Sequence, residues 1–259
     1  MREKPSPITV YWSTSAFSQE TESWSFLYRE PKSLLSLTRS MRPENARPML
    51  MFSCPSTIEH MSNIFVFSNA ITDIVQIPAG VLEQSNSRTE ENYRASQPLP
   101  IGNKLSFLSS RESSLDGYAN ITYNLSWVFF ASEPLVAKFT APYYPPTAPC
   151  PGAMLSTGKF DIGSWYRPFV LDYHIPLNTK ELSFKENDHL FYMELETERP
   201  VVFKRYIENP RLNSIQQETV YTYKEMFGKF RPLKKRYEDS KRAKIPQIVL
   251  SEIQKNLVE

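Results

Sequence analysis

The sequence predicts a mainly β protein, a jelly-roll or cupin-like β-sandwich followed by a short helical extension. Short apolar segments recur over the first 206 residues, bounded by Pro, Asn, Asp or Gly, a spacing typical of sandwiches and barrels. The densest segment, residues 119–132, alternates apolar and polar side chains as a half-buried strand does. Beyond residue 206 helix-forming residues dominate. We therefore expect a sandwich domain over residues 1–206 and a basic, mostly helical extension over residues 207–259.

The N-terminal half contains short elements separated by prolines and polar residues. Alternating β-branched or aromatic residues predict strands over residues 8–12, 24–28, 64–67 and 71–77. The last two are expected to pair with each other across Ser68 and Asn69. Residues 33–40 fit either a strand or one to two helical turns, and the polar residues 83–97 indicate an exposed loop.

The second half of the predicted sandwich continues the strand pattern after residue 132. Further strands are predicted over residues 135–140, 166–176, 190–196 and 200–206. Residues 142–152 contain five prolines, which neither donate to a strand ladder nor continue a helix. We expect this segment to follow an extended or polyproline-like path on the surface.

The C-terminal extension is helical and basic. Ser214 and Gln217 have the spacing of a capping box, and Val220, Tyr223 and Phe227 would form one helical stripe. Two more helices are predicted over residues 233–240 and 246–257. The extension contains 11 Lys or Arg against 7 Asp or Glu, although the whole chain carries only +2.

The composition argues against several kinds of enzyme. The chain has 21 prolines but 7 glycines, and no two glycines have the two-residue spacing of a dinucleotide-binding motif. Gly158 and Gly163 have the spacing of a P-loop, but Ser164 follows them in place of the required Lys. Cys54 and Cys150 are each followed by Pro and lie far apart, which favours two reduced thiols over a zinc site or disulfide. No catalytic motif and no cofactor is predicted, so an enzyme is less favoured than a binding protein.

The N-terminal residues are polar, and no apolar run approaches the length of a membrane span. We therefore expect a protein that is neither secreted nor membrane-embedded.

The basic segment 229–244 is the first candidate binding surface. Its cations include Lys234, Lys235, Arg236, Lys241 and Arg242. They could bind nucleic-acid phosphates while Phe230 and Tyr237 stack on bases, dock on an acidic protein, or form a solvated helical face. We favour a protein partner over nucleic acid, and assembly of the chain into a homo-oligomer is an open alternative.

Aromatic residues supply the second candidate. Most of them are expected in the core. Tyr143 and Tyr144, within the proline-rich segment, are the ones most expected to be exposed and to bind a partner.

The histidines leave a metal site open as an alternative. In a jelly roll, Asp172 and His174 on one strand and His189 at the edge of the next could face each other and hold a metal. The order Asp-x-His is the reverse of the cupin pair. A metal-dependent, cupin-like enzyme is therefore the alternative, and hydrogen-bonded histidines without metal are favoured.

Four strings carry a resemblance to a known family. They are YWSTSAFSQETESWSFLYREPKSLLSLTRSMRP, CPSTIEHMSNIFVFSN, SWYRPFVLDYHIP and KENDHLFYMELET. In this order they resemble an uncharacterised family of tailed-phage proteins, particularly from T4-like phages of marine cyanobacteria, over most of residues 8–206. The resemblance carries no catalytic residues. It implies a virion component, or an accessory factor in the host cytoplasm that engages a host protein.

Overall fold

The computed structural model describes residues 5–14, 29–40, 54–77, 82, 111–112, 115–220 and 233–258. The strands within these residues are β1 Ile8–Thr14, β2 Lys32–Ser33, β3 Ile64–Ser68, β4 Asp73–Gln76, β5 Arg111–Glu112, β6 Tyr118–Ala131, β7 Val136–Thr140, β8 Met154–Leu155, β9 Gly158–Asp161, β10 Pro168–Pro176, β11 Glu181–Phe184, β12 His189–Leu195 and β13 Val201–Arg205. The helices are α1 Leu34–Ser40, α2 Pro55–Ser62, α3 Pro210–Val220, α4 Leu233–Arg242 and α5 Ile245–Lys255. The predicted strand 24–28, the predicted loop 83–97, and Tyr223 and Phe227 of the predicted stripe lie outside the described residues.

The strands form three sheets. Sheet A has the order β13-β1-β6-β10-β8, with β5 also paired to β6. Sheet B has the order β2-β3-β12-β7-β9, and sheet C consists of β4 and β11. Strand pairs are antiparallel except that β1 and β13 run parallel. The longest ladder joins β6 to β10 and contains one irregularity between Phe169 and Leu171.

Sheets A and B pack face to face through aromatic side chains. Phe67 of β3 stacks on Phe191 of β12 at 4.5 Å between ring centroids. It also meets Phe129 of β6 edge to face at 5.1 Å. Sheet C extends the same core, since Phe184 stacks on Tyr123 of β6 at 3.9 Å. The predicted mainly β class and sandwich arrangement are therefore confirmed.

Helices cover the outer faces of both large sheets. On sheet B, a cluster joins Leu34 of α1 and Met61 of α2 to the outward side chains of β3. On sheet A, Val249 and Ile253 of α5 pack with Val128 and Phe130 of β6. The end of β6 is buried on both faces, which explains why residues 127–131 are continuously apolar instead of alternating.

The predicted pairing of residues 64–67 with 71–77 is wrong. β3 pairs with β2 and β12, whereas β4 pairs with β11. Buried Asn69 redirects the chain, because its side-chain amide donates to the carbonyls of Ile71 at 2.6 Å and Phe184 at 3.1 Å. These bonds join the connection to β11 and leave no closed hairpin.

The structure also resolves the ambiguous segment 33–40, which begins at the end of β2 and continues as α1. Helix α2 is a helix that the sequence patterns do not predict. Its first residue, Pro55, follows Cys54 at the N-cap and occupies the position where proline fits a helix best.

The predicted N-cap at Ser214 is wrong. Helix α3 begins one turn earlier at Pro210, because the side-chain oxygen of Asn209 accepts the amide of Leu212 at 2.9 Å. The two predicted helices that follow are confirmed as α4 and α5, with ends that agree to within two residues.

A buried polar network joins sheet A to α3. The Tyr166 hydroxyl donates to Glu208 Oε1 at 2.8 Å and lies 2.9 Å from the Tyr206 hydroxyl. The side-chain amide of Gln216 also donates to Glu208 Oε1. Burial raises the pKa of Glu208 to about 8, and its hydrogen bonds offset only part of this rise. Glu208 Oε2 meets no hydrogen-bond partner among the described residues.

The raised pKa of Glu208 makes stability depend on pH. Between the ordinary carboxyl pKa and about 8, the folded protein retains a proton that the unfolded chain releases. The free energy of unfolding should therefore fall as the pH rises across this interval, and level off above it. Glu208→Gln, which stays neutral, should flatten this dependence in urea titrations between about pH 5 and 9.

Glu238→Gln is the matched control because it removes an exposed carboxyl from α4 and should leave the slope unchanged. An unaltered slope in Glu208→Gln would show that Glu208 does not carry the effect.

Candidate binding surface

Asp161, at the end of β9, fixes helix α4 against the sandwich. The Tyr237 hydroxyl donates to Asp161 Oδ2 at 3.1 Å, and Lys241 Nζ approaches the same oxygen at 3.4 Å. The Tyr237 ring lies 5.3 Å from the ring of Trp165. One helix face is thereby held by a carboxylate and an aromatic side chain.

The sandwich itself orients this carboxylate. Asp161 Oδ1 accepts the amides of Leu135 and Gly163, each at 3.0 Å. Burial alone would raise the pKa of Asp161, but these bonds and those from Ser164 and Tyr237 lower it overall. Gly163 is required in this turn, since an added Cβ would lie 1.9 Å from the carbonyl oxygen of Glu133.

Other cations of α4 face solvent. Lys234, Lys235, Arg242 and the following Lys244 are exposed, and no carboxylate in the described parts of the chain forms an ion pair with them. Lys244 has a positive φ of 56° at the turn into α5. The contacts of Tyr237 and Lys241 thus leave a separate set of cations available for binding.

Arg167 extends this positive charge onto the sandwich. Its guanidinium lies 5.2 Å from the centroid of the Trp165 ring. Burial lowers the pKa of Arg167, Asp172 opposes that effect, and positively charged Arg236 adds to it. We call Arg167 together with Lys234, Lys235, Arg236, Lys241, Arg242 and Lys244 the basic surface.

Tyr237 has its polar and aromatic groups engaged within the molecule. Its hydroxyl is bonded to Asp161, its ring is packed with Trp165, and Lys241 Nζ lies 4.6 Å from the ring centroid. The ring is therefore occupied in the folded protein and poorly placed to stack on a base. Phe230, the other aromatic residue of the predicted nucleic-acid surface, lies outside the described residues.

Tyr143 and Tyr144 lie in a tight turn, so the expected extended or polyproline-like path is wrong there. Tyr143 forms an isolated bridge with Pro146, and the Tyr144–Pro145 peptide is cis. The side chain of Tyr143 is 47% exposed, and its hydroxyl lies 3.2 Å from His60 Nε2. It provides a second exposed feature, as predicted.

Tyr144 is half-buried instead of fully exposed. Its amide donates to the Tyr192 hydroxyl at 3.2 Å, and that hydroxyl donates back to the Tyr144 carbonyl. These two bonds fix the turn to β12 and leave Tyr143 as its exposed aromatic side chain.

The structure does not bring the possible metal ligands together. Asp172 and His174 share one face of β10 in sheet A, where Asp172 accepts the Thr122 hydroxyl at 2.5 Å. His189 begins β12 in sheet B, is buried, and has Nδ1 at 3.0 Å from the Tyr192 hydroxyl. No group of three or more His, Cys, Asp or Glu side chains within the described ranges is placed to hold a metal ion.

Both cysteines are free thiols in different environments. Cys54 is exposed, and hydrogen bonds from the side chain of Ser56 and the amide of Thr57 lower its pKa to about 7. Burial raises the pKa of the Cys150 thiol.

The sequence indicates the cations of α4 but not the residues that hold the helix in place. Asp161 and Trp165 come from the sandwich and contact α4 only in the folded chain, and Arg167 lies over the Trp165 ring. The closest signal is Gly163 two residues after Asp161, a spacing that fits a tight turn bonded to the aspartate.

No helix in the described ranges is both long and apolar enough to span a bilayer. Comparisons with protein-family models, curated proteins and solved structures yield no match to this chain.

Tyr237→Phe tests how α4 is held. Removing the hydroxyl takes one hydrogen bond from Asp161 but retains the ring contact with Trp165. We expect the free energy of unfolding to fall by about 1 kcal/mol and amide exchange to accelerate in α4, measured by denaturation and hydrogen-exchange mass spectrometry.

Tyr143→Phe is the control, since it removes a more exposed hydroxyl that contacts His60. We expect it to change stability by less than about 0.5 kcal/mol and to leave exchange in α4 unaltered. Unchanged exchange in Tyr237→Phe would contradict the proposed fixing of the helix.

Proposed function

We propose that the protein acts by binding, and that the basic surface docks on an acidic surface of a protein partner. One observation carries the proposal: α4 is fixed from beneath by Asp161, while Lys234, Lys235, Arg242 and Lys244 face solvent. A surface that is ordered before binding loses less conformational entropy on association. Clustered charge of one sign also accelerates association with a partner of the opposite sign.

A protein partner is favoured over nucleic acid because of Tyr237. The cations could contact phosphates, but the ring that would stack on a base is packed with Trp165 and Lys241. Electrostatic docking on carboxylates needs no free aromatic ring.

The resemblance to tailed-phage proteins supports a partner in the virion or in the cytoplasm of an infected host. Mass spectrometry of purified particles and of infected-cell lysate separates these settings. A component that copurifies with particles at constant stoichiometry acts in the virion, and one found only in lysate acts in the host.

The double variant K234E/K235E tests the proposed docking surface. Charge reversal should reduce the acidic proteins retained from infected-cell lysate at least about tenfold, and salt should reduce retention by the wild type. Quantitative mass spectrometry of the retained proteins measures both effects, and cross-linking identifies the partner residues.

The control is K180E/K185E, which reverses two exposed lysines on either side of β11 and changes net charge equally. Equal loss in both variants would show a nonspecific charge effect and contradict docking through α4. Steeply salt-dependent gel shifts with DNA or RNA, lost only in K234E/K235E, would instead identify a nucleic-acid partner.

A further inference from the structure

Strand β13 is the terminal strand of sheet A, and no other strand in the described ranges pairs with its outer edge. In its parallel ladder with β1, the Pro200 carbonyl accepts the amide of Ile8, and the Tyr206 amide donates to the carbonyl of Trp12. Even-numbered residues of this stretch therefore direct their backbone groups toward β1. The backbone groups of Val201, Phe203 and Arg205 point away from the sheet.

The C-terminal residues already pair with one end of this edge. Leu257 bridges Tyr206 in antiparallel orientation, and the Val258 amide donates to the Arg205 carbonyl at 2.9 Å. No described residue pairs with the outward backbone groups of Val201 and Phe203. The edge can thus accept a strand, and a short part of it does so within the molecule.

A groove of about 720 Å³ lies beside this outer edge. Phe203, Trp12, Leu257 and Val258 supply most of its apolar lining. Leu257 and Val258 are 37% and 41% exposed. The ring of Phe203 lies 4.7 Å from that of Phe65 in sheet B, so residue 203 points toward the interior of the sandwich.

Arg205 places a positive charge in this groove. Its guanidinium lies 5.8 Å from the Trp12 ring centroid, and burial lowers its pKa. No described carboxylate forms an ion pair with Arg205, although Glu30 also lines the groove. A partly desolvated guanidinium without a carboxylate favours an incoming anion.

We propose that the edge of β13 binds an extended, acidic segment of a partner protein as an added strand. The segment would pair with the backbone of Val201 and Phe203 and displace Val258 from the Arg205 carbonyl. It would then place an apolar side chain on Phe203 and a carboxylate on Arg205. Apolar and acidic residues two positions apart meet this requirement, because alternate side chains of a strand share one face.

The proposed β13 site contains no residue of the basic surface. Charge reversal on α4 therefore leaves this site intact, and failure of one proposal is distinguishable from failure of the other.

The probe is a fluorescein-labelled peptide, TETVTET, with its carboxyl end amidated. In either orientation it presents glutamate toward Arg205 and valine toward Phe203. Fluorescence anisotropy should show saturable binding with a dissociation constant below about 1 mM, and hydrogen exchange at Val201 and Phe203 should slow.

Arg205→Met retains most of the side-chain packing but removes the charge, and should weaken binding at least about tenfold. Arg205→Lys should restore part of the affinity.

The control variant is Lys180→Met, which removes one exposed charge ahead of β11 and should leave affinity within about twofold. TQTVTQT should bind at least about tenfold more weakly to the wild type. TETVTET that is N-methylated at alternate residues should also bind at least about tenfold more weakly, because it cannot donate the hydrogen bonds to the strand edge. These two peptides keep the test decisive even if Arg205→Met unfolds, which thermal denaturation detects. Equal binding by TETVTET and TQTVTQT, or no saturable binding of TETVTET, would overturn the proposal.

Discussion

The structure depends on the second half of β6, which is buried on both faces. Trp127 and Phe129 face the core between the sheets, whereas Val128 and Phe130 face the cluster beneath α3 and α5. A strand with two apolar faces requires a layer on each side. This one strand therefore dictates both the sandwich and the attachment of the C-terminal helices to sheet A.

The sequence predicts those elements whose signal is local. Alternation in β6 and the proline at the start of α5 are both visible in short windows, and both elements are confirmed. Pairing partners are harder to predict because they depend on single side chains far from the strand they affect. Asn69 bonds the carbonyl of Phe184, 115 positions away, and this contact separates β4 from β3.

In the candidate site, too, some features are visible in the sequence and others depend on the folded structure. A run of basic residues is evident from composition alone, and the helix that carries it is confirmed as α4. What those cations contact depends on Asp161 and Trp165, which α4 reaches only after the sandwich has formed. The role of Tyr237 is the clearest case, because the ring predicted to stack on bases packs within the molecule.

Three ionisable side chains show how the fold sets the charge of buried and half-buried groups. Glu208 is buried with its pKa raised to about 8, so the carboxyl remains mostly protonated at neutral pH. Asp161 is half-buried but receives enough hydrogen bonds to stay ionised, and it orders α4. Arg205 keeps its charge beside Trp12 without a counter-ion among the described residues. Asp161 receives hydrogen bonds on both oxygens, whereas Glu208 Oε2 meets no partner among the described residues. No described carboxylate forms an ion pair with the Arg205 guanidinium, which lies beside a strand edge where no described residue pairs with the outward backbone groups of Val201 or Phe203. Both features support the proposed docking of a partner's carboxylate.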